Sequence, residues 1–232
     1  MQIFKENWEI AVYLIAGSVV MDGFDGTVAR LTKTESNFGV QLDSLVDAVS
    51  FGLVPATLIY YWGFHMGHPQ IGKVIGFMYL SAGVIRLARF NVLKEIDAFP
   101  SNVFVGIPIP LGALSICSVV LIFKNRLVNT EAIFIFGGFV MLVAFLMIST
   151  IKYRAMKKIN SKYNLLILLI LAIVVAFTIN FPSYTIPVIT LIYLISPLFF
   201  FIYFKIKKPK NIMAGMEFPS EEPKNKENTI AQ

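Results

Sequence analysis

Asp22-Gly23-Phe24-Asp25-Gly26-Thr27-Val28-Ala29-Arg30, followed after eight residues by Gly39-Val40-Gln41-Leu42-Asp43-Ser44-Leu45-Val46-Asp47, sets four carboxylates into otherwise apolar sequence. At about 100° per residue, a helix holds Asp22 and Asp25 about 60° apart and Asp43 and Asp47 about 40° apart, so each pair shares one face. Two such helices facing one another bring four carboxylates together. An Asp at the centre of a bilayer costs roughly 2.5–3.5 kcal/mol, so four cost on the order of 10 kcal/mol unless they are neutralised or sit near the interface. A divalent cation is the obvious neutraliser. All-oxygen donors suit Mg²⁺ or Mn²⁺, and the lack of a nearby His or Cys speaks against zinc or copper. Any one of these residues can be a helix-end charge at the water boundary; four in this spacing are not explained that way.

Outward from this knot the chain is apolar. It is 56% hydrophobic with a mean hydropathy of +0.72, outside the range of a water-soluble globular domain. Runs long enough to cross a bilayer of about 30 Å recur, and lipid-embedded backbone has to be helical. The expected fold is therefore all-α, a polytopic transmembrane bundle. Seven spans are expected: Trp8 to Phe24, Gly39 to Gly63, Ile71 to Leu87, Phe104 to Phe123, Glu131 to Ile151, Leu165 to Phe181, and Thr185 to Phe204. They form one domain, residues 1–208. The tail, residues 209–232, is polar and rich in Pro, Lys, Glu and Asn, and is expected to be disordered in the cytosol.

Basic residues set the orientation. With Arg30 and Lys33 in the cytosol, alternation puts Arg86, Arg89, Lys94, the cluster from Lys152 to Lys162 and the stretch Lys205 to Lys210 there too. Of 20 Lys and Arg, only Lys5, Lys73, Lys124 and Arg126 then face outward, as the positive-inside rule requires. The acidic knot accordingly faces the cytosol. The net charge of +6 reads as topology and attraction to anionic lipid, with no call for nucleic acid. The single cysteine, Cys117, lies within an apolar span and reads as a small core residue; His65 and His68 read as a solvated loop on the far side.

Other residues add chemistry to the knot. Gly26 and Gly39 lack a Cβ, and Ala29 is nearly as small, so a ligand can lie close to the backbone there. Small residues also let membrane helices pack tightly. Arg30 presents a rigid fork of donors suited to a pyrophosphate. Arg86 and Arg89, three apart on one helix face, suit a phosphate or a carboxylate, or serve as interfacial anchors. Pro55 is expected to kink the second span, and Gly106-Ile107-Pro108-Ile109-Pro110 to shape the approach to the site.

The pattern D-x-x-D-G-x-x-A-R, then eight residues, then G-x-x-x-D-x-x-x-D resembles the signature of the CDP-alcohol phosphatidyltransferase family. Eight fixed positions at roughly one-twentieth each coincide by chance about once in 10¹⁰ starts. The stretch from Asp43 to Ala56, the stretch Arg86-Leu87-Ala88-Arg89-Phe90-Asn91, and Gly106 to Pro110 look like the phosphatidylserine synthase branch. The resemblance covers the first half of the chain and leaves the last three spans without a chemical reading. It implies transfer of a phosphatidyl group from CDP-diacylglycerol to L-serine, with release of CMP, at the cytosolic face of the membrane. Asp22, Asp25, Asp43 and Asp47 are implied as ligands of two Mg²⁺ or Mn²⁺ ions, with Asp47 also as general base. Gly26, Ala29, Arg30 and Gly39 are implied to hold the nucleotide and its phosphates, and Arg86 or Arg89 the serine carboxylate or the lipid phosphate.

The resemblance also implies a homodimer and one further helix ahead of Trp8. The chain is thus expected to be truncated at an internal Met, with eight spans in the complete protein. Two other readings compete. One keeps the reaction and changes the acceptor to glycerol 3-phosphate or an inositol phosphate. The other is a divalent-cation transporter, which calls for acidic residues along several spans rather than at one face.

Overall fold

The computed structural model describes residues 2–32, 36–95, 103–154, 176–178 and 180–207, with the backbone alone at 27–31, 37, 94–95, 103–105, 152–154 and 197–207. Two compact units divide the chain, Met1–Pro197 and Leu198–Gln232. The core and the acidic junction belong to the first; the described part of the second is the end of the last helix.

Helix α1 (Trp8–Thr32) is followed by α2 (Asn37–Asp47), which continues through a π-helical stretch (Ala48–Leu53), α3 (Val54–Leu58) and a second π-helical stretch (Ile59–Phe64). Then come α4 (Pro69–Glu95), strand β1 (Val103–Val105), α5 (Ile109–Phe123), α6 (Thr130–Ile148), strand β2 (Lys152–Arg154) and α7 (Pro182–Lys207). Among the described residues, three helices, Phe38–Phe64, Pro69–Leu93 and Thr130–Ile148, are long and apolar enough to cross a membrane, and Ile109–Phe123 and Pro182–Ser196 are shorter apolar helices. The protein is an integral membrane protein built as a helical bundle.

The expected spans match these helices unequally. The first runs on past Phe24 to Thr32, because nothing in Gly26-Thr27-Val28-Ala29-Arg30 breaks a helix. The fourth starts late. Phe104 lies in β1, opposite Tyr153 in an antiparallel ladder, and the helix begins only at Ile109. Gly106 takes a left-handed φ of 75°, Pro108 caps α5 with ψ 140°, and Pro110 sits in the first turn, where its missing N–H has no partner to lose. The fifth ends at Ile148 rather than Ile151, where the chain turns toward β2. Most of the sixth span, Leu165 to Phe181, and the tail at 209–232 lie outside the described residues.

The core lies where α3 and its π-helical flanks meet α4, α5 and α6. Gly112 of α5 lets α6 approach so closely that a Cβ there would stand 1.9 Å from the Met147 Cε, and a Cβ at Gly76 would stand 3.1 Å from the Ala56 carbonyl oxygen. Pro55 has no N–H to offer the carbonyl of Phe51, four residues earlier. The buried Tyr79 hydroxyl of α4 donates to that carbonyl at 3.1 Å, so the carbonyl is satisfied from a neighbouring helix. At the end where α1 begins, Glu6 pairs with Arg126 at 2.8 Å and Glu9 with Lys124 at 3.3 Å, and the Arg126 guanidinium lies 5.1 Å from the Trp8 ring centroid.

Candidate active site

The carboxylates of Asp22 and Asp25 on α1 and Asp43 on α2 offer three oxygens that lie within 4.8 Å of one another. Asp47, one turn after Asp43, stands close enough to Asp22 and Asp43 for their charges to act on it. Carboxylates so placed repel one another unless a proton or a cation lies between them. Asp25 and Asp43 are exposed, while Asp22 and Asp47 are half-buried.

Local sequence accounts for this placement. Helix α1 continues unbroken past Asp22, which keeps Asp25 and Gly26 in register on the same helix. Ser36 caps α2, its Oγ accepting from the Gly39 N–H at 3.0 Å, and so fixes where the helix starts. Opposite ligands of an octahedral Mg²⁺ stand about 4.2 Å apart, given bonds of about 2.1 Å. The 4.8 Å spread of the three carboxylate oxygens is close to that distance. The donor set is all carboxylate, hard and anionic, and it can hold a divalent cation.

Around the carboxylates the backbone is open at Gly26, where an added Cβ would meet nothing within 4 Å; at Gly39 it would meet only the Ser36 Oγ, at 3.1 Å. The side chains of Ala29 and Arg30 lie outside the described residues.

The two arginines of α4 have different addresses. Arg86 is buried, at 7% exposure, and its Nε has no hydrogen-bond partner. It lies in the field of Asp47 and of Tyr193 from α7, and its guanidinium carbon is 5.3 Å from the Phe90 ring centroid. Among the described residues no ion pair joins it to Asp47. Arg89 instead donates to the C-terminal carbonyls of α6: Ile148, Met147 at 3.2 Å and Ser149 at 3.1 Å. Gly106 passes beside this knot, where a Cβ would stand 2.4 Å from the Met147 carbonyl oxygen and 3.0 Å from the Arg89 Nη2. Arg89 therefore fastens α4 to the end of α6, and Arg86 is the cation of the pair whose field acts on Asp47.

Sequence reasoning assigned no part to Ser36, Ser44, Asn91 or Tyr193. The polar run ahead of Asn37 carried a signal for a capping serine. No signal within one helix tells which distant helix an Asn or Tyr will meet.

The model of the family described as CDP-alcohol phosphatidyltransferase matches residues 1–149. The chain belongs to the CDP-alcohol phosphatidyltransferase family. Among similar members, a Helicobacter pylori protein named CDP-diacylglycerol–serine O-phosphatidyltransferase is 40% identical over 171 residues, 71% of this chain and 70% of that protein. Proteins of the same name are 36% identical in Methanocaldococcus jannaschii, over 60% of this chain and 61% of the relative, and 34% identical in Bacillus subtilis, over 67% and 81%. The family match contains both helices of the acidic junction and all of α4 and α5.

Proposed function

We propose that this phosphatidyltransferase moves the phosphatidyl group of CDP-diacylglycerol onto the hydroxyl of L-serine and releases CMP. One observation carries the reading: Asp22, Asp25 and Asp43, from two separate helices, converge with Asp47 beside them, in a chain that aligns with serine phosphatidyltransferases across most of its length.

Each residue has a task that suits its chemistry. Asp22, Asp25 and Asp43 would hold the cation, Mg²⁺ or Mn²⁺, and Asp47 would help to hold a second. When bound, the metal would supply polarisation of the phosphoryl oxygens and offset the charge that develops on departing CMP. Asp47 accepts the proton of the serine hydroxyl as the oxygen attacks the lipid-linked phosphorus and the bond from that phosphorus to CMP breaks. Gly26 and Gly39 let the nucleotide approach the backbone, and Arg30 grips a phosphate. Arg86, buried beside Asp47 with an unpartnered Nε, holds the serine carboxylate, so the acceptor is bound next to its base.

The acyl chains remain in the bilayer while the CDP head group reaches the site from the cytosolic side, the side that the basic residues favour. The working protein is a homodimer of one membrane domain, residues 1–208, each carrying a polar tail.

The test is CMP release by the purified, detergent-solubilised protein supplied with CDP-diacylglycerol and Mn²⁺ or Mg²⁺. Serine, glycerol 3-phosphate and inositol phosphate are compared as acceptors. Release that depends on serine and metal is expected. Release only with a phosphorylated acceptor would keep the family and overturn the serine assignment.

A further inference from the structure

One polar residue at the end of α4 has no part in that chemistry: Asn91. Its Nδ2 donates to the Ser44 Oγ at 2.9 Å, and the Ser44 hydroxyl donates to the Val40 carbonyl at 3.2 Å. Ser44 follows Asp43 and precedes Asp47 by less than one turn, so this bond grips α2 in the turn that carries both carboxylates.

None of the described side chains of α2 is buried. Directly after Asp47 the backbone changes to a π-helical stretch, whose i→i+5 bonds shift the helical register between α2 and the core. Rotation matters because side-chain tips lie about 5–6 Å from a helix axis, so a turn of about 20° moves a carboxylate oxygen by about 2 Å. That is a whole metal–oxygen bond. Helix α4, by contrast, is a fixed reference: Arg89 fastens its end to α6, and Tyr79 fastens its middle to Phe51.

We infer that Asn91 is a positioning residue. By holding Ser44 against α4 it sets the rotation of α2, so that Asp43 and Asp47 face Asp22 and Asp25 at the spacing a divalent cation needs. The inference rests on the acidic junction being a cation site, and its test separates the two ideas.

Mn²⁺ binding to the full-length protein in detergent, without substrate, is followed by the electron paramagnetic resonance signal of free Mn²⁺. Wild type, Asn91→Ala, Ser44→Ala and the double variant are compared. Each single variant is expected to bind Mn²⁺ about tenfold more weakly, the low end of what partners outside the ligand shell contribute. The double variant should match the singles, because all three lose the same bond. A purely structural role for the pair would lower the melting temperature and leave the Mn²⁺ affinity alone, which overturns the inference. Independent, multiplying losses in the double variant overturn it as well. Should Asn91→Ala not fold, Ser44→Ala decides alone, since it removes only one hydroxyl from a side chain that is not buried. Wild-type protein that binds no Mn²⁺ would remove the cation site itself, an outcome distinct from a bound ion that is indifferent to Asn91.

Discussion

The junction of α1 with α2 and the packed centre where α4 meets α5 and α6 follow opposite rules. At the junction, four carboxylates gather on two helices, Asp25 and Asp43 stand exposed, and Gly26 opens onto empty space. In the centre, Gly112 and Gly76 admit neighbouring helices to within contact, and the Phe51 carbonyl, which Pro55 cannot serve, accepts from Tyr79. The junction is thus poor in packing and rich in charge; the centre is the reverse. On the proposed reading, substrates and an ion supply what the junction lacks, while the centre provides the frame: Arg89 ties α4 to α6, and Asn91 extends from α4 to Ser44 of α2. Replacing residues at the two regions should therefore separate activity from stability.

The largest effect is expected at Asp47. Asp47→Asn removes the proposed base but neither its volume nor any buried contact, so kcat should fall by about 10²–10⁴, with the melting temperature equal or higher as like charges are thinned. Loss of folding in this variant would break the contrast, because it would make the junction structural. Next comes Arg86→Ala, which should raise the KM for serine by about 10- to 100-fold, the worth of a charged hydrogen bond, with a smaller change in the KM for CDP-diacylglycerol. The reverse pattern would move Arg86 from the serine carboxylate to the lipid phosphate.

In the centre the expectation inverts. Gly112→Leu drives a side chain into the Met147 methyl and should destabilise the protein by about 1–3 kcal/mol in chemical or thermal unfolding, while CMP release per folded molecule stays near wild type. The smallest effect belongs to the far end of the bundle. Glu9 and Lys124 form a 3.3 Å pair whose side chains are 46% and 60% exposed, so Glu9→Gln should shift stability by less than about 1 kcal/mol and leave kinetics unchanged.

How much of this was legible in the sequence depends on the reach of each interaction. The shared faces of Asp22 with Asp25 and of Asp43 with Asp47 follow from helical periodicity, which acts within a few residues. The spans followed from apolar length, and their ends did not. Phe104 is as apolar as the helix it precedes, and hydropathy alone cannot distinguish strand from helix; the glycine and prolines between Gly106 and Pro110 were the better guide. Arg86 and Arg89 were indistinguishable by spacing, because what separates them is their partners. Arg89 meets carbonyls some 60 residues away, and Asn91 meets Ser44 across 47 residues. Such pairings are decided by how helices pack, and a single chain read along its length carries no period that reports them.

The most direct test of the account is the identity of the lipid product. Purified protein is incubated with CDP-diacylglycerol, Mn²⁺ and isotopically labelled L-serine, and the extracted lipids are resolved by mass spectrometry beside an Asp47→Asn control. The account predicts labelled phosphatidylserine in amounts equal to the CMP released, and both products formed at least about 10²-fold more slowly by the control. CMP release without label in the lipid, or label at undiminished rate in Asp47→Asn, would contradict it.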